Sequence, residues 1–363
     1  MGLPAPLLAA GYETVLRPLL FASHGGDPEP IHEQMLDVLA AASAVGPLRG
    51  LLGLLAASEG RASEVAGIRF PNRVGLAAGL DKDGVAARAW AGLGFGFAEL
   101  GTVTALPQPG NDQPRVFRLR ASHALVNRMG FNNHGAAALA NTLTLAGIRR
   151  GNGAAGIPLG ISIGKSKAVE LADAEADYLA SLDAVAPFAD YVAINVSSPN
   201  TPGLRSLQDS GALAALTRAL TARAAVLAPA DPVPVFVKLA PDLGWAQVDE
   251  VLAACAEAGV AGVIATNTTL ARDGIAPADR VAAAQAGGLS GAPLTARALE
   301  FVRYVVRHTA LPVIGVGGLM TADDAGAMFD AGAALVELYT GFVYHGPALV
   351  SAINAADSRR NRP

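Results

Sequence analysis

From Asn72 onward one theme repeats along the chain. A short apolar or β-branched run ends in Gly, Asn, Ser or Thr, and an alanine-rich helical stretch follows. Eight such runs read as strands: residues 74–77, 97–101, 159–163, 191–196, 233–239, 262–265, 313–316 and 335–338. They are apolar almost throughout instead of alternating, which is the pattern of parallel strands buried on both faces. Parallel neighbours need a long crossover between them, and the alanine-rich stretches supply it. About eight such units in series predict an α/β fold of the closed (β/α)8 TIM-barrel type. An open doubly wound sheet is the competing arrangement, because the same alternation builds it.

The crossovers support this reading. Residues 210–227 read SGALAALTRALTARAAVL, rich in strong helix formers. Residues 245–258 are similar, and Gly259 stands where a helix C-cap belongs. Residues 105–150 form a longer insertion. Its segments PRVFRL and ALVNRMGFNNHG read as a short hairpin across the barrel mouth, and long loops in compact domains are usually functional.

Residues 1–60 differ from the rest and are expected to form a helical extension to a barrel of residues 61–363. Leu7, Leu8, Gly11, Tyr12, Val15, Leu16, Leu19 and Leu20 follow helical spacing, with Glu13 and Arg17 on the other face. Pro18 should end or kink this helix. A second helix is expected from Pro30 to the alanines near Ala42, followed by the apolar stretch LRGLLGLLAA at 48–57. Two uses suit such an extension: a cap packed on the barrel, or an amphipathic surface that meets a membrane.

Composition excludes several classes. Hydrophobic residues make up 52% and charged residues 16% of 363, enough to bury a large core and too apolar for disorder. The net charge of -4 lacks the basic surplus of a nucleic-acid binder. Cys255 is the single cysteine, so the chain makes no internal disulfide and no cysteine metal cluster, and no metal is expected. The N-terminus has no basic n-region, so no signal peptide is read there. The longest charge-free run, residues 338–356, is broken by Gly341, His345, Gly346, Pro347 and Asn354, which does not suit a transmembrane helix.

In a barrel of this kind reactive groups gather at the C-terminal ends of the strands. Those ends carry unusual polar residues here. The first runs into AAGLDKDG with Lys82, the second into GTVT with Thr102, and the third into ISIGKSK. The fourth runs into NVSSPNTPGLRSL with Asn195, Ser198 and Asn200, and the fifth carries Lys238 in VKLAPD. The sixth ends in ATNTTL with Thr266, Asn267 and Thr268, the seventh in GVGGLM and the eighth in LYTG. One lysine at a strand end is usually a solvated charge, but two lysines and four amides aimed at one mouth point to a ligand. Asparagine is a poor strand residue, so Asn127, Asn195, Asn200 and Asn267 read as hydrogen-bonding groups. Each amide offers donors and an acceptor to a planar polar ring such as a pyrimidine. Lys82 suits a carboxylate or a flavin edge, and Lys238 suits negative charge on a reduced flavin. Gly317, Gly318, Tyr339 and Thr340 offer backbone N–H groups at the usual phosphate position of the fold.

At these residues the sequence resembles class 2 dihydroorotate dehydrogenase, the membrane-associated and quinone-dependent class. The matching segments are GLAAGLDKDG, ELGTVT, PQPGNDQPRVFRL, NRMGFNNHG, NVSSPNTPGLRSLQ, VKLAPDL, GVIATNTT, GGLSGAPL, IGVGG and LYTGF, in order between residues 67 and 350. The resemblance implies oxidation of (S)-dihydroorotate to orotate in pyrimidine (UMP) biosynthesis, with hydride passed to FMN and electrons to a membrane quinone. It implies Ser198 as the catalytic base that takes the C5 proton. FMN would be held by Ala78, Gly79, Leu80, Asp81, Lys82, Thr102, Ser162, Asn195, Lys238, Thr266, Gly291, Gly318, Tyr339 and Thr340. The substrate would meet Lys82, Asn127, Arg128, Met129, Gly130, Phe131, Asn195, Asn200, Asn267 and Thr268. His32 and Arg118 resemble the family's polar groups near the quinone tunnel. The expected setting is a monomer bound peripherally, through its N-terminal helices, to the cytoplasmic face of the bacterial cell membrane, with no nucleic-acid partner.

One departure stands out. The family usually has asparagine in the third-strand motif, GxNxGKN, where this chain reads GISIGKS with Ser162 and Ser166. Soluble class 1 enzymes use a cysteine base, and Cys255 falls inside a predicted helix away from the mouth. Rival readings are another FMN barrel acting on dihydropyrimidines or hydroxy acids, a non-redox barrel binding a phosphorylated metabolite, and a non-catalytic membrane-surface protein. A hydroxy-acid oxidase would want a histidine base, and the fourth-strand motif holds none.

Overall fold

The computed structural model describes residues 9–55, 60–198, 200, 204 and 210–360. Thirteen strands are found among them. A hairpin, β1 (Ser63–Val65) and β2 (Ile68–Phe70), precedes the barrel. The barrel strands are β3 (Val74–Leu76), β4 (Phe97–Val103), β7 (Leu159–Ile163), β8 (Tyr191–Asn195), β9 (Val235–Leu239), β10 (Gly262–Ala265), β12 (Val313–Val316) and β13 (Leu335–Leu338). They close in the order β10-β12-β13-β3-β4-β7-β8-β9, each pair parallel. The open doubly wound alternative is thereby excluded. Every expected barrel strand is present, with ends shifted by two residues at most.

Helices Ala174–Val185, Ser210–Leu227, Trp245–Glu257, Thr295–His308 and Ala322–Asp330 cross over between strands and bury their apolar sides on the barrel. Gly259 adopts φ +71, the left-handed C-cap expected after the third of these. Cys255 lies buried in that helix, and burial pushes its thiol up to about 12.

Inside the barrel, the period of two places Phe97, Tyr191 and Phe236 at one level. Each ring fills space that a neighbouring strand vacates with a glycine. A Cβ on Gly75 would stand 2.2 Å from the Phe97 ring, on Gly160 2.1 Å from Tyr191, and on Gly262 2.3 Å from Phe236. Phe70 and Val65 of the first hairpin join this cluster and seal the N-terminal end of the barrel. The insertion over the opposite end is a three-stranded antiparallel sheet. It pairs β5 (Val116–Leu119) and β6 (Ala124–Asn127), the expected hairpin, with β11 (Gly288–Gly291), which the sequence reading did not include.

The N-terminal segment is helical, as expected, but Pro18 does not end it. A π-turn at Tyr12–Leu16 leads into α1 (Arg17–Ala22) with Pro18 in its first turn. Proline lacks the N–H that an uninterrupted ladder would require, and the wider turn absorbs the mismatch. The helix α2 (Pro28–Ala44) follows, with Asp27 accepting from the Glu29 N–H, then α3 (Gly46–Leu55). Leu7 and Leu8 of the predicted stripe lie outside the described residues. Tyr12 donates to the Val343 carbonyl at 2.8 Å, and Phe21 packs edge-on against Tyr344. Val15, Leu16 and Leu19 of the stripe face solvent, as do Val38, Val45 and Leu48.

Candidate active site

The C-terminal ends of the strands open into one cavity, about 1140 Å³ of non-atom space with its mouth included. Ala78, Gly79 and Lys82 line it after β3, Thr102 from β4, Asn195 and Ser198 from β8, and Lys238 from β9. Thr266, Asn267 and Thr268 follow β10, Gly317 and Gly318 follow β12, and Tyr339 and Thr340 follow β13. The overlying sheet adds Asn127, Met129, Gly130, Phe131 and Gly291.

The four asparagines singled out from the sequence meet here. The Asn195 amide donates to Thr102 Oγ1 at 2.9 Å, and the Asn267 amide donates to Asn195 Oδ1 at 3.3 Å and Ser197 Oγ at 2.9 Å. The Asn200 amide donates to Asn127 Oδ1 at 3.3 Å, and its backbone N–H donates to Ser198 Oγ at 3.3 Å. Ser198 is buried, so its hydroxyl faces the cavity and not bulk water. Thr201, three residues on in the same NVSSPNTPG motif, lies outside the described residues.

Both lysines are perturbed. Burial lowers Lys82 to about 8, against the pull of the Glu29 carboxylate. For Lys238, burial works against the ammonium, and Glu99 and Glu337 overcome it, so its pKa is raised. Lys238 Nζ lies 3.0 Å from Glu99 Oε1 and 3.5 Å from Glu337 Oε2.

Six expected residues stand outside the cavity wall. Leu80 is in the core, and Asp81 turns away to accept from Trp90 Nε1 at 3.0 Å and the Ala86 N–H at 3.1 Å. Ser162 is fully buried behind the wall, 2.9 Å from Thr102 Oγ1. Arg128 points outward to Gln285 Oε1 and the Pro114 carbonyl. His32 lines a neighbouring polar cleft that it shares with Lys82, Glu29 and Arg115; burial and then Lys82 lower it to about 3, so it is a neutral imidazole. Arg118 donates to the Gly26 carbonyl at 3.1 Å and lies over the Phe21 ring. Conversely, Ser290 and Glu337 line the cavity without having been anticipated. A lone acidic residue in the apolar runs LVEL and FAEL was the available signal, since a buried carboxylate needs a partner.

The family profile described as dihydroorotate dehydrogenase matches residues 61–356. The chain belongs to the dihydroorotate dehydrogenase family. It is similar to the dihydroorotate dehydrogenase (quinone) of Salinispora arenicola, 55% identical over 355 residues, covering 95% of this chain and 98% of that one. It is also similar to the enzyme of the same name from Chloroflexus aurantiacus, 53% identical over 352 residues and 95% of each chain. The crystal structure of the Eimeria tenella dihydroorotate dehydrogenase bound to ferulenol superposes with a TM-score of 0.81 at 32% identity, covering 93% of both chains.

A dihydroorotate dehydrogenase uses a flavin, and the cavity fits one. Gly318 takes φ +69, and a Cβ there would stand 2.3 Å from the Thr295 backbone, so only glycine lets this part of the cavity wall pack against that helix start. Thr340 Oγ1 and Ser290 Oγ, 2.8 Å apart, add hydroxyls beside it. Across the barrel, Thr102, Asn195 and Lys238 offer the donors that a polar ring edge requires.

Proposed function

We propose that this chain oxidises (S)-dihydroorotate to orotate in pyrimidine biosynthesis, with FMN in the barrel cavity and a membrane quinone as electron acceptor. The observation that carries the reading is the convergence of Ser198, four asparagines and two lysines on one cavity in a member of this family. FMN, when bound, supplies the hydride acceptor. Its phosphate suits the Gly317–Gly318 and Tyr339–Thr340 wall, and its ring suits Thr102, Asn195 and Lys238. Asn127, Asn195, Asn200 and Asn267 would hold the pyrimidine, with Lys82 on its carboxylate.

Ser198 Oγ takes the C5 proton while its own hydroxyl proton passes on to solvent. Serine is a weak base, and charge developing on Oγ is stabilised by the N–H that Asn200 donates into it. The amides orient the ring so that C5 meets Oγ and C6 faces the hydride acceptor.

Residues 1–60 are read as the quinone-access extension. Exposed Val15, Leu16, Leu19, Val38, Val45 and Leu48 supply an apolar face for the lipid interface, and His32 and Arg118 lie where the extension joins the barrel. No described helix is long and apolar enough to cross a membrane. Peripheral attachment at the cytoplasmic face, as a monomer, completes the reading.

The test is anaerobic. Dihydroorotate should bleach the bound flavin, and a short-chain quinone should restore its colour. Ser198→Ala should keep the flavin yet slow bleaching by at least roughly 10²–10⁴-fold. Bleaching at the wild-type rate would remove Ser198 from the reaction, and a protein without a flavin band would overturn the cofactor assignment.

A further inference from the structure

Behind Lys238 the barrel holds more charge than one ammonium needs. Glu99 and Glu337 both point inward and both reach Lys238 Nζ. The Tyr191 hydroxyl closes the set from the other side, 3.3 Å from Glu99 Oε2 and 3.5 Å from Glu337 Oε1. All four side chains are buried, and Glu337 and Lys238 line the same cavity wall. With both carboxylates ionised the set carries one net negative charge in a low-dielectric interior. With one proton added it is neutral, and each carboxyl still has a partner.

We propose that Glu337 holds a proton beside the Glu99 carboxylate and that the two act, with Tyr191, as positioning residues that fix the charge behind Lys238 and thereby the reduction potential of the flavin. This rests on the flavin reading of the cavity. Burial, and then the Glu99 charge, push Glu337 up to about 8 against the opposing pull of Lys238. The other titratable group on the inner side, among the described residues, is Tyr339, two residues on; it packs against the same inner cluster, and burial pushes its phenol up to about 12, so it stays neutral. The adjacent strands β3 and β12 carry none, nor do β7 and β10. The acidic residues of helix Ala322–Asp330 and the Arg73–Asp357 pair sit outside the barrel wall.

A flavin held in this cavity would, on accepting a hydride, gain two electrons and one proton, and Lys238 would face the one negative charge so added. That charge draws a proton from solvent onto the carboxylate pair wherever the pair is still ionised. Below pH 8 the Glu337 proton is in place beforehand, so reduction takes up one proton. Above pH 8 reduction takes up two.

Tenfold in a two-electron equilibrium corresponds to about 30 mV. The midpoint potential of the wild-type holoprotein should therefore fall by about 30 mV per pH unit below pH 8 and steepen toward about 60 above it. Glu337→Gln and Glu99→Gln should each shrink the break, and what remains belongs to Lys82, which loses its proton near pH 8 in the same cavity. A second readout needs no flavin. Infrared titration of the apoprotein should show a protonated carboxyl band at pH 7 that fades through pH 8 and is missing in either variant. A straight wild-type potential line together with no such band would overturn the proposal. A protein that binds no flavin would instead sink the cofactor reading, and the apoprotein titration would still decide this one. The same titration decides it if the variants do not fold.

Discussion

The pair that ties the extension to the barrel offers a quantitative test. Glu29 on α2 and Arg115 at the start of the insertion are 5% and 8% exposed. The Arg115 guanidinium donates to Glu29 through Nε at 3.0 and 3.1 Å and through Nη2 at 2.6 Å. Its remaining nitrogen, Nη1, donates to the Pro109 and Asn111 carbonyls. Glu29→Ala leaves a buried guanidinium without its counter-charge, which costs about 3–5 kcal/mol. At about 1.36 kcal/mol per decade, this raises the undocked population of α2 by between about a hundredfold and a few thousandfold. It is below the roughly 5–15 kcal/mol that holds a whole domain, so the extension should open while the barrel stays closed. Arg115 keeps its two carbonyl acceptors, so the loop under Met129 stays in place. Hydrogen exchange should therefore accelerate in residues 28–44 and not in the barrel strands. In stopped flow, reduction by dihydroorotate should persist while reoxidation by a long-chain quinone in vesicles slows. Glu29→Gln, which keeps the shape and loses the charge, should fall between. Unchanged exchange in α2 would refute the pair as a tether. Equal loss of both half-reactions would refute a separate role for the extension.

Three further outcomes follow from the cavity. Because Lys82 loses its proton near pH 8, the dissociation constant for orotate, read from the flavin spectrum, should be flat below pH 8 and rise about tenfold per unit above it; a flat profile to pH 9.5 would take Lys82 off the carboxylate. Gly318→Ala should force the wall against Thr295 and yield folded protein, by circular dichroism, that releases FMN on gel filtration; retained FMN would move the phosphate elsewhere. Ser162→Asn, which restores the family residue beside Thr102, should be tolerated and tighten FMN by about two- to twelvefold, the worth of one added hydrogen bond of about 0.5–1.5 kcal/mol; loss of FMN would mean that the space behind Thr102 is too tight for the larger amide.

The barrel was legible because parallel strands buried on both faces leave unbroken apolar runs, and chemistry collects where they end. The asparagines were legible for a related reason, since nothing in strand propensity accounts for them. Other features depend on distant pairing or on facing direction. β1 and β2 are three residues each, and β11 reads Gly-Leu-Ser-Gly, which carries no strand signature until β6 lies beside it. Arg128 sits between two cavity residues in the motif, yet neighbours along an extended chain face opposite ways, so Asn127 and Met129 point in and Arg128 points out. Glu99 and Glu337 each stand as a lone charge in an apolar strand, which marks them as needing a partner but does not say which one. Only closure of the barrel brings them to the same lysine.

The rings that fill the glycine gaps at the closed end give that end a bearing on the open one. Tyr191 has the outer end of its ring lodged over Gly160 and its hydroxyl against the two glutamates, so the glycine gap and the charged layer meet at one rigid side chain. Its phenol has two side-chain torsions and no slack along its length. A methyl group added at Gly160 would stand 2.1 Å from Cζ, the ring carbon that carries the hydroxyl, and so would displace that hydroxyl from its place beside the carboxylates without touching any ligand. Backbone glycines at the sealed end thus work as the datum surface against which the height of Lys238 is set, and mutational drift there would be read as a change in colour and potential, well before it was read as a change in fold.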